Sequence, residues 1–325
     1  MFPGKIFFNT SVQLLGRFLG AGLSFLTTLL FARTLGAHYF GEYTKITSFI
    51  GFFYLGVDFG MNAVFLQIAA EDKVSPDSRF VRYLGMRLFG SVMMALLCIV
   101  LGSMLSFLNA GFTNLVVVGV VLGSLSIPLY AVEVSVLAIL QSRLRYDLAA
   151  LADICGSAAT LVVIWGLLVV NNLQVQSLVL AGVLALMVGM LLTALLCLRF
   201  MATTRVSISP VVDIDLWRKT ILRSIPLGLV LLCNVLYFRL DLLILSHFRS
   251  SSEIGQYALA YKFFDFAIAL PTFFMNSLYP SLLSMPHPAF AVRIKRVFGM
   301  LFLASLIVTA LFWIASPLLV FIKRE

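Results

Sequence analysis

Nine apolar stretches follow one another along this chain, each longer than the roughly 20 residues an α-helix needs to cross a bilayer. They run Ile6–Ala32, Tyr43–Ala69, Tyr83–Leu108, Leu115–Leu140, Leu148–Val170, Leu178–Met201, Leu222–Ser246, Ile254–Leu283 and Val297–Ile322. Backbone N–H and C=O groups find no water in hydrocarbon, so stretches of this kind must bond internally, as membrane-spanning helices. The segments between them are short and polar, with no room for a soluble domain. Of the 325 residues, 61% are hydrophobic and 11% charged, with a mean hydropathy of +1.05. Soluble domains carry roughly 25% charged residues, so too little polar surface remains here to cover a water-soluble globule. The expected fold class is all-α integral membrane, a multi-span helical bundle.

The net charge of +9 does not point to nucleic acid, because the cations collect in alternate short loops. With the N-terminus inside, fifteen of them (Lys5, Lys73, Arg79, Arg82, Arg87, Arg143, Arg145, Arg199, Arg205, Arg218, Lys219, Arg223, Arg293, Lys295, Arg296) fall on the inner side. Five (Arg33, Lys45, Arg249, Lys323, Arg324) fall outside, and Arg17, Arg239 and Lys262 lie within spans. The positive-inside rule selects this orientation in the cytoplasmic membrane. Cys98, Cys155, Cys197 and Cys233 stand alone in apolar segments and read as buried small hydrophobes. With His38, His247 and His287 scattered, no metal site is expected. Met1 to Lys5 is too short for the charged start of a cleaved leader, so the first span is expected to be retained.

An internal echo organises the spans. Gly41 and Gly255 are 214 residues apart, as are Tyr43 and Tyr257. Both pairs lie at an outer helix–helix join, six spans apart. An even number of spans per repeat gives two parallel lobes related by an axis along the membrane normal. The expected organisation is a six-helix lobe over 1–205 and a second lobe over 206–325 that holds three helices. Completing the second lobe by the same spacing would need about 420–430 residues. The expectation is a partial sequence, or a bundle completed by a second chain.

Charges stranded inside the spans carry the functional signal. Arg17, Asp58, Glu133, Arg239, Asp241, Lys262 and Asp265 each sit where insertion costs about 2.5–3.5 kcal/mol at a helix centre. Such residues persist when they face one another or a water-filled cavity. Asn9, Gln13 and Arg17 recur at i, i+4 and i+8, on one helix face. Thr47, Tyr54, Asp58 and Asn62 form a stripe on the second span, and Tyr257, Tyr261 and Asp265 one on the eighth. Asn234, Tyr237 and Asp241 share a face on the seventh, whereas Arg239 projects about 200° from Asp241. Lys262 and Asp265, spaced i, i+3, could equally neutralise each other. Gly16 and Gly20 fit ordinary close helix packing. Glu133 is a candidate gate or proton site. Asp153, beside Arg143 and Arg145, reads as an interfacial salt bridge, and Asp213 and Asp215 as the acidic start of an interfacial helix.

The chain resembles the O-antigen and capsule repeat-unit flippases of the multidrug/oligosaccharidyl-lipid/polysaccharide exporter superfamily. The likeness rests on Asn9-Thr10 with Arg17, Ala32-Arg33-Thr34-Leu35-Gly36, Phe40-Gly41-Glu42-Tyr43, Asp58-Phe59-Gly60-Met61-Asn62, Arg239-Leu240-Asp241 and Gly255-Gln256-Tyr257. It departs at Gln67, where such proteins often carry arginine, and in its number of spans. The resemblance implies a polyprenyl-diphosphate-linked oligosaccharide as cargo, with membrane lipid and polysaccharide polymerase or assembly proteins as further partners. On that basis Arg17, Arg239 and Lys262 would hold the diphosphate or acidic sugars. Asn9, Gln13, Asn62 and Tyr237 would contact hydroxyls. Asp58, Asp241, Asp265 or Glu133 would take up a proton or sodium ion, with no other cofactor. A multidrug exporter of cations from the same superfamily is the nearest rival. A membrane glycosyltransferase or polymerase needs an acid or base on a structured loop, which these short loops do not offer. A non-transporting assembly scaffold is the third alternative.

Overall fold

The computed structural model describes the backbone over residues 3–65, 76–108, 111–143, 145–170, 174–202, 211–283 and 287–321. Side chains of residues 3–15, 17 and 269–293, among others, lie outside the described set. Within it every long element is a helix: α1 (Pro3–Asp58), α2 (Pro76–Phe107), α3 (Asn114–Ser124), α4 (Ser126–Ser142), α5 (Tyr146–Val170), α6 (Val175–Ala202), α7 (Ile214–Phe248), α8 (Ser251–Leu283) and α9 (His287–Phe321). Six apolar helical segments among the described residues are long enough to cross a membrane, and the chain is a multi-pass membrane protein.

One of those segments, Phe18–Phe65, is 48 residues long because it contains a hairpin. Gly36 interrupts α1 at φ 67°, ψ 171°, a region open essentially to glycine alone. Phe31 and Tyr43 then meet edge to face with ring centroids 4.8 Å apart. In a straight helix their 12-residue separation would place them about 18 Å apart along the axis. The chain therefore doubles back at Gly36, giving the first two of the expected spans. The second resumes at residue 37 rather than at Tyr43, and its expected end near Ala69 lies outside the described residues.

Helices α2, α7 and α9 also start earlier than hydropathy alone marks, at Pro76, Ile214 and His287. Each begins with residues too polar or too mixed to register in a hydropathy window, which records the apolar stretch rather than the helix end. Asp213 caps α7 by accepting from the Leu216 N–H at 3.0 Å, and Asp215 sits in the first turn. The acidic helix start read from the sequence is there, and carboxylates at that position complement the helix dipole.

Two compact units can be distinguished, Met1–Leu259 and Ala260–Glu325. In the first, the cores lie between helices. One gathers Phe31, Ile46, Phe49, Phe53, Ile127 and Val183; the other gathers Phe65, Phe80, Tyr83, Met86, Ile139 and Met201. Gly16 and Gly20 of α1 lie against Ala150 and Asp153 of α5, the close packing expected of small residues in lipid. Outward faces carry Phe89, Leu96, Val100, Trp165 and Val169 in contact with the surroundings. In water such a surface would aggregate; against lipid it is ordinary. The second unit holds the rest of α8 and α9, with Phe298, Leu303, Ile307 and Trp313 exposed along α9.

Candidate functional site

Two buried polar networks lie in the first unit, one where α1 meets the start of α8 and one at a corner of α1 that touches the middle of α7. At the Gly41 end, the backbone of α1 meets that of α8. A side chain on Gly41 would run into the Ser251 carbonyl, and one on Gly255 into the Ala37 carbonyl. The two repeat-related glycines of the sequence therefore face each other across one contact. Beside it, the Lys45 ammonium donates to the Gly111 carbonyl at 2.8 Å, Ser251 Oγ at 2.9 Å and Glu42 Oε1 at 3.4 Å. All three of its donors are used. The hydroxyls of Ser251 and Thr113 both donate to the Glu42 carboxylate. Lys45 and Glu42 side chains are 3% and 2% exposed. Sequence reading placed Lys45 among the exposed loop cations; the structure corrects this, because residue 45 lies inside the resumed helix and turns toward α8.

At the Asp58 end, α1 breaks. Phe59 at φ 33° and Gly60 at φ 75° form a left-handed corner, and the Phe59 N–H still bonds the Leu55 carbonyl at 2.7 Å. Arg87 of α2 reaches across this corner. One of its amino groups donates to Asp58 Oδ1 at 3.1 Å and to Asn62 Oδ1 at 3.0 Å. The other approaches Ser135 Oγ of α4 at 3.5 Å. Arg87 is 2% exposed, so its place among the inner loop cations is a second correction. Arg82, five residues earlier, is half exposed and pairs with Asp213 at 2.8 Å. Five residues turn a helix by about 140°, which separates the surface arginine from the buried one. Stacked rings of Tyr54 and Tyr130, 4.6 Å apart, and a 2.6 Å bond between the Tyr54 and Ser126 hydroxyls extend the polar interior.

The corner also touches α7. A side-chain carbon on Gly60 would stand 2.8 Å from Leu227 Cβ, and the Phe59 ring lies on Gly228. Nearer the start of α7, Trp217 Nε1 donates to the Arg82 carbonyl at 3.1 Å, and Val211 N–H to the Val81 carbonyl at 3.2 Å.

Of the residues singled out in the sequence, Asp58 and Asn62 are thus brought together, through an arginine that the charge count places among the inner cations. Asp241, on the same helix as Gly228 but 13 residues on, is about 20 Å away along the axis and accepts from the Tyr257 hydroxyl. Arg239 is half-buried, Tyr237 exposed and Glu133 half-buried. Lys262 and Asp265 are half-buried on α8 in the second unit. The side chains of Asn9, Gln13 and Arg17 lie outside the described residues.

The fold is similar to that of solved exporters. The chain superimposes on the MATE multidrug transporter DinF-BH, solved as a complex, with TM-score 0.66 and 14% identity over 99% of this chain and 75% of that one. Against the inward-facing conformation of a multidrug resistance MATE family transporter of the MOP superfamily, the TM-score is 0.61 at 16% identity, covering 93% of this chain and 72% of the other. An outward-facing conformation of such a transporter matches with TM-score 0.59 at 16% identity, over 97% and 74%. No curated protein matches the chain. The family model for polysaccharide biosynthesis proteins matches residues 6–285. With most of its length inside that match, the chain belongs to the polysaccharide biosynthesis protein family.

Proposed function

We propose that this protein moves a polyprenyl-diphosphate-linked oligosaccharide, the repeat unit of a cell-surface polysaccharide, across the cytoplasmic membrane. The observation that carries the reading is the family match over residues 6–285 in a chain of membrane-crossing helices. Charged residues held within those helices suit a polar headgroup, and an arginine's planar fork suits phosphate. In this reading Arg17, Arg239 and Lys262 hold the diphosphate, Asn9, Gln13 and Tyr237 meet sugar hydroxyls, and the lipid tail stays in the bilayer. Proton or sodium uptake at Asp241, Asp265 or Glu133 resets the cycle. Asp58 is neutralised by Arg87, so an ion taken up there acts by releasing that arginine.

The same reading sets the protein with its N-terminus inside. Removing buried Lys45 and Arg87 from the loop count leaves fourteen inner cations against four outer ones, and the bias remains. The Gly41 end is then outer and the Asp58 end inner. Transport proceeds as the two lobes rock about the contacts that join them.

The fold likeness to multidrug exporters favours a second reading, export of amphipathic cations. Proteoliposomes separate the two. In the first, a fluorescent polyprenyl-diphosphate oligosaccharide becomes accessible on the opposite leaflet, and Arg17→Ala with Arg239→Ala abolishes this. Dye accumulation driven by an ion gradient, without movement of the lipid-linked sugar, would establish the second reading instead.

A further inference from the structure

Arg87 bonds the two residues that flank the left-handed corner, Asp58 before it and Asn62 after it, through a single amino group. Its other amino group is aimed at α4. Phe59 is the one non-glycine residue with positive φ among the described residues, and an L side chain is held there only when its surroundings impose it. The strained Phe59–Gly60 step does not face lipid. It presses on Leu227 and Gly228, immediately after Pro226, the proline inside α7. Proline removes a helix hydrogen bond and allows a kink at that point. Before Pro226, α7 is tied to the start of α2 through Asp213, Trp217 and Thr220, which meet Arg82 and Tyr83. After it, the helix is touched by the corner. The weak point of α7 therefore lies between an anchored first section and the wedge that Arg87 holds.

We propose that Arg87 is a positioning residue for the conformational cycle: by stapling Asp58 to Asn62 it holds the Phe59–Gly60 corner against α7 and so sets the angle of α7 at Pro226. Loss of the staple lets the corner relax toward ordinary backbone angles, Phe59 withdraws from Gly228, and the part of α7 beyond Pro226 changes direction. Among the described residues, Ser135 and Tyr130 on α4 and Tyr83 on α2 are further polar groups around the guanidinium, and Asp58 is its carboxylate partner. The inference rests on the rocking motion proposed above, but its test measures an angle rather than transport, so failure of either is distinguishable.

The experiment is pulsed electron–electron resonance on the full chain in lipid nanodiscs, with its four native cysteines replaced. Leu151 of α5, Leu195 of α6 and Leu240 of α7 are exposed and accept spin labels. In Arg87→Ala, the Leu151–Leu240 distance should shift by more than the width of the unsubstituted distribution, while Leu151–Leu195 stays unchanged. Asp58→Asn, nearly isosteric, should shift the same pair in the same direction. The exchanged pair Asp58→Arg with Arg87→Asp should return it. Unaltered Leu151–Leu240 distances in both Arg87→Ala and Asp58→Asn would overturn the proposal. An equal shift of the control pair would overturn it too, since Arg87 would then be holding the bundle as a whole. So would an exchanged pair that behaves like Arg87→Ala.

Discussion

Replacing Lys45 by methionine probes the buried junction between α1 and α8 most directly. At 3.4 Å from Glu42, with an effective dielectric constant near 20, the direct attraction is about 5 kcal/mol. Desolvation of both groups offsets much of it, so the pair as a unit contributes far less than that. The single substitution is a different matter, because it leaves the Glu42 carboxylate at 2% exposure with only the hydroxyls of Thr113 and Ser251, and strips the Gly111 carbonyl of its donor. Breaking a buried pair from one side costs roughly 3–5 kcal/mol. Removing both charges, as Glu42→Gln with Lys45→Met, should recover about half or more of that loss, since replacing a whole buried pair is often near neutral. Reversible unfolding in mixed micelles, followed by tryptophan fluorescence, measures each variant, and the cycle yields the coupling. Arg82→Met is the control: its partner Asp213 is 26% exposed and Arg82 itself 50%, so about 0–1 kcal/mol is expected. A Lys45→Met variant no less stable than Arg82→Met would refute the buried junction.

Other outcomes follow from the same geometry. Asp213→Ala should cost about 1 kcal/mol as a lost helix cap, whereas Asp213→Asn should retain the cap and lose only the exposed ion pair; thermal unfolding of the two variants shows the difference. Gly41→Ala places a carbon into the Ser251 carbonyl and should destabilise by roughly 1–3 kcal/mol, with Gly255→Ala similar; a neutral result in both would show that the helices do not meet there. Glu253 accepts from the Ser250 N–H and hydroxyl, both at 3.0 Å, and its own N–H reaches back to Ser250 Oγ at 3.4 Å, a reciprocal cap at the start of α8. Those Ser250 bonds, with a smaller part from Arg249, hold the Glu253 carboxyl below its usual range. Its cap is therefore fully formed above the ordinary glutamate pKa and weakens as pH falls through the lowered one. Amide exchange across 250–257 should speed up on acidification after correction for intrinsic rates, and Glu253→Gln should remove that dependence.

The two glycines spaced 214 residues apart show how far sequence could go toward the site. Repetition at a helix join is visible in one dimension, and the structure turns it into a contact. Asp213 and Asp215 were legible because each acts at the end of its own helix. Gly16 and Gly20 were legible because small residues at i, i+4 spacing mark a close helix contact whatever the partner. Arg87 was not. It follows Arg79 and Arg82 in a basic run, and the charge count places the whole run on the inner side although Arg87 falls within the span Tyr83–Leu108. Nothing local separates it from Arg82 except five residues of helical rotation. Lys45 was hidden in the same way: it lies two residues inside the span read from Tyr43 and was counted with the outer loop.

What the sequence determined by itself is the medium and the element type: apolar stretches of this length must be helices in lipid, their order sets the spans, and intramembrane charges must find partners. What only the tertiary structure decided is which partners. Asp58 and Asn62 meet Arg87, and Glu42 meets Lys45, Thr113 and Ser251. The energy of a buried charge is fixed by atoms within a few ångström, and those atoms come from helices distant in the chain. Their rotation and crossing follow from the packing of all their neighbours, a property that no window along the sequence contains.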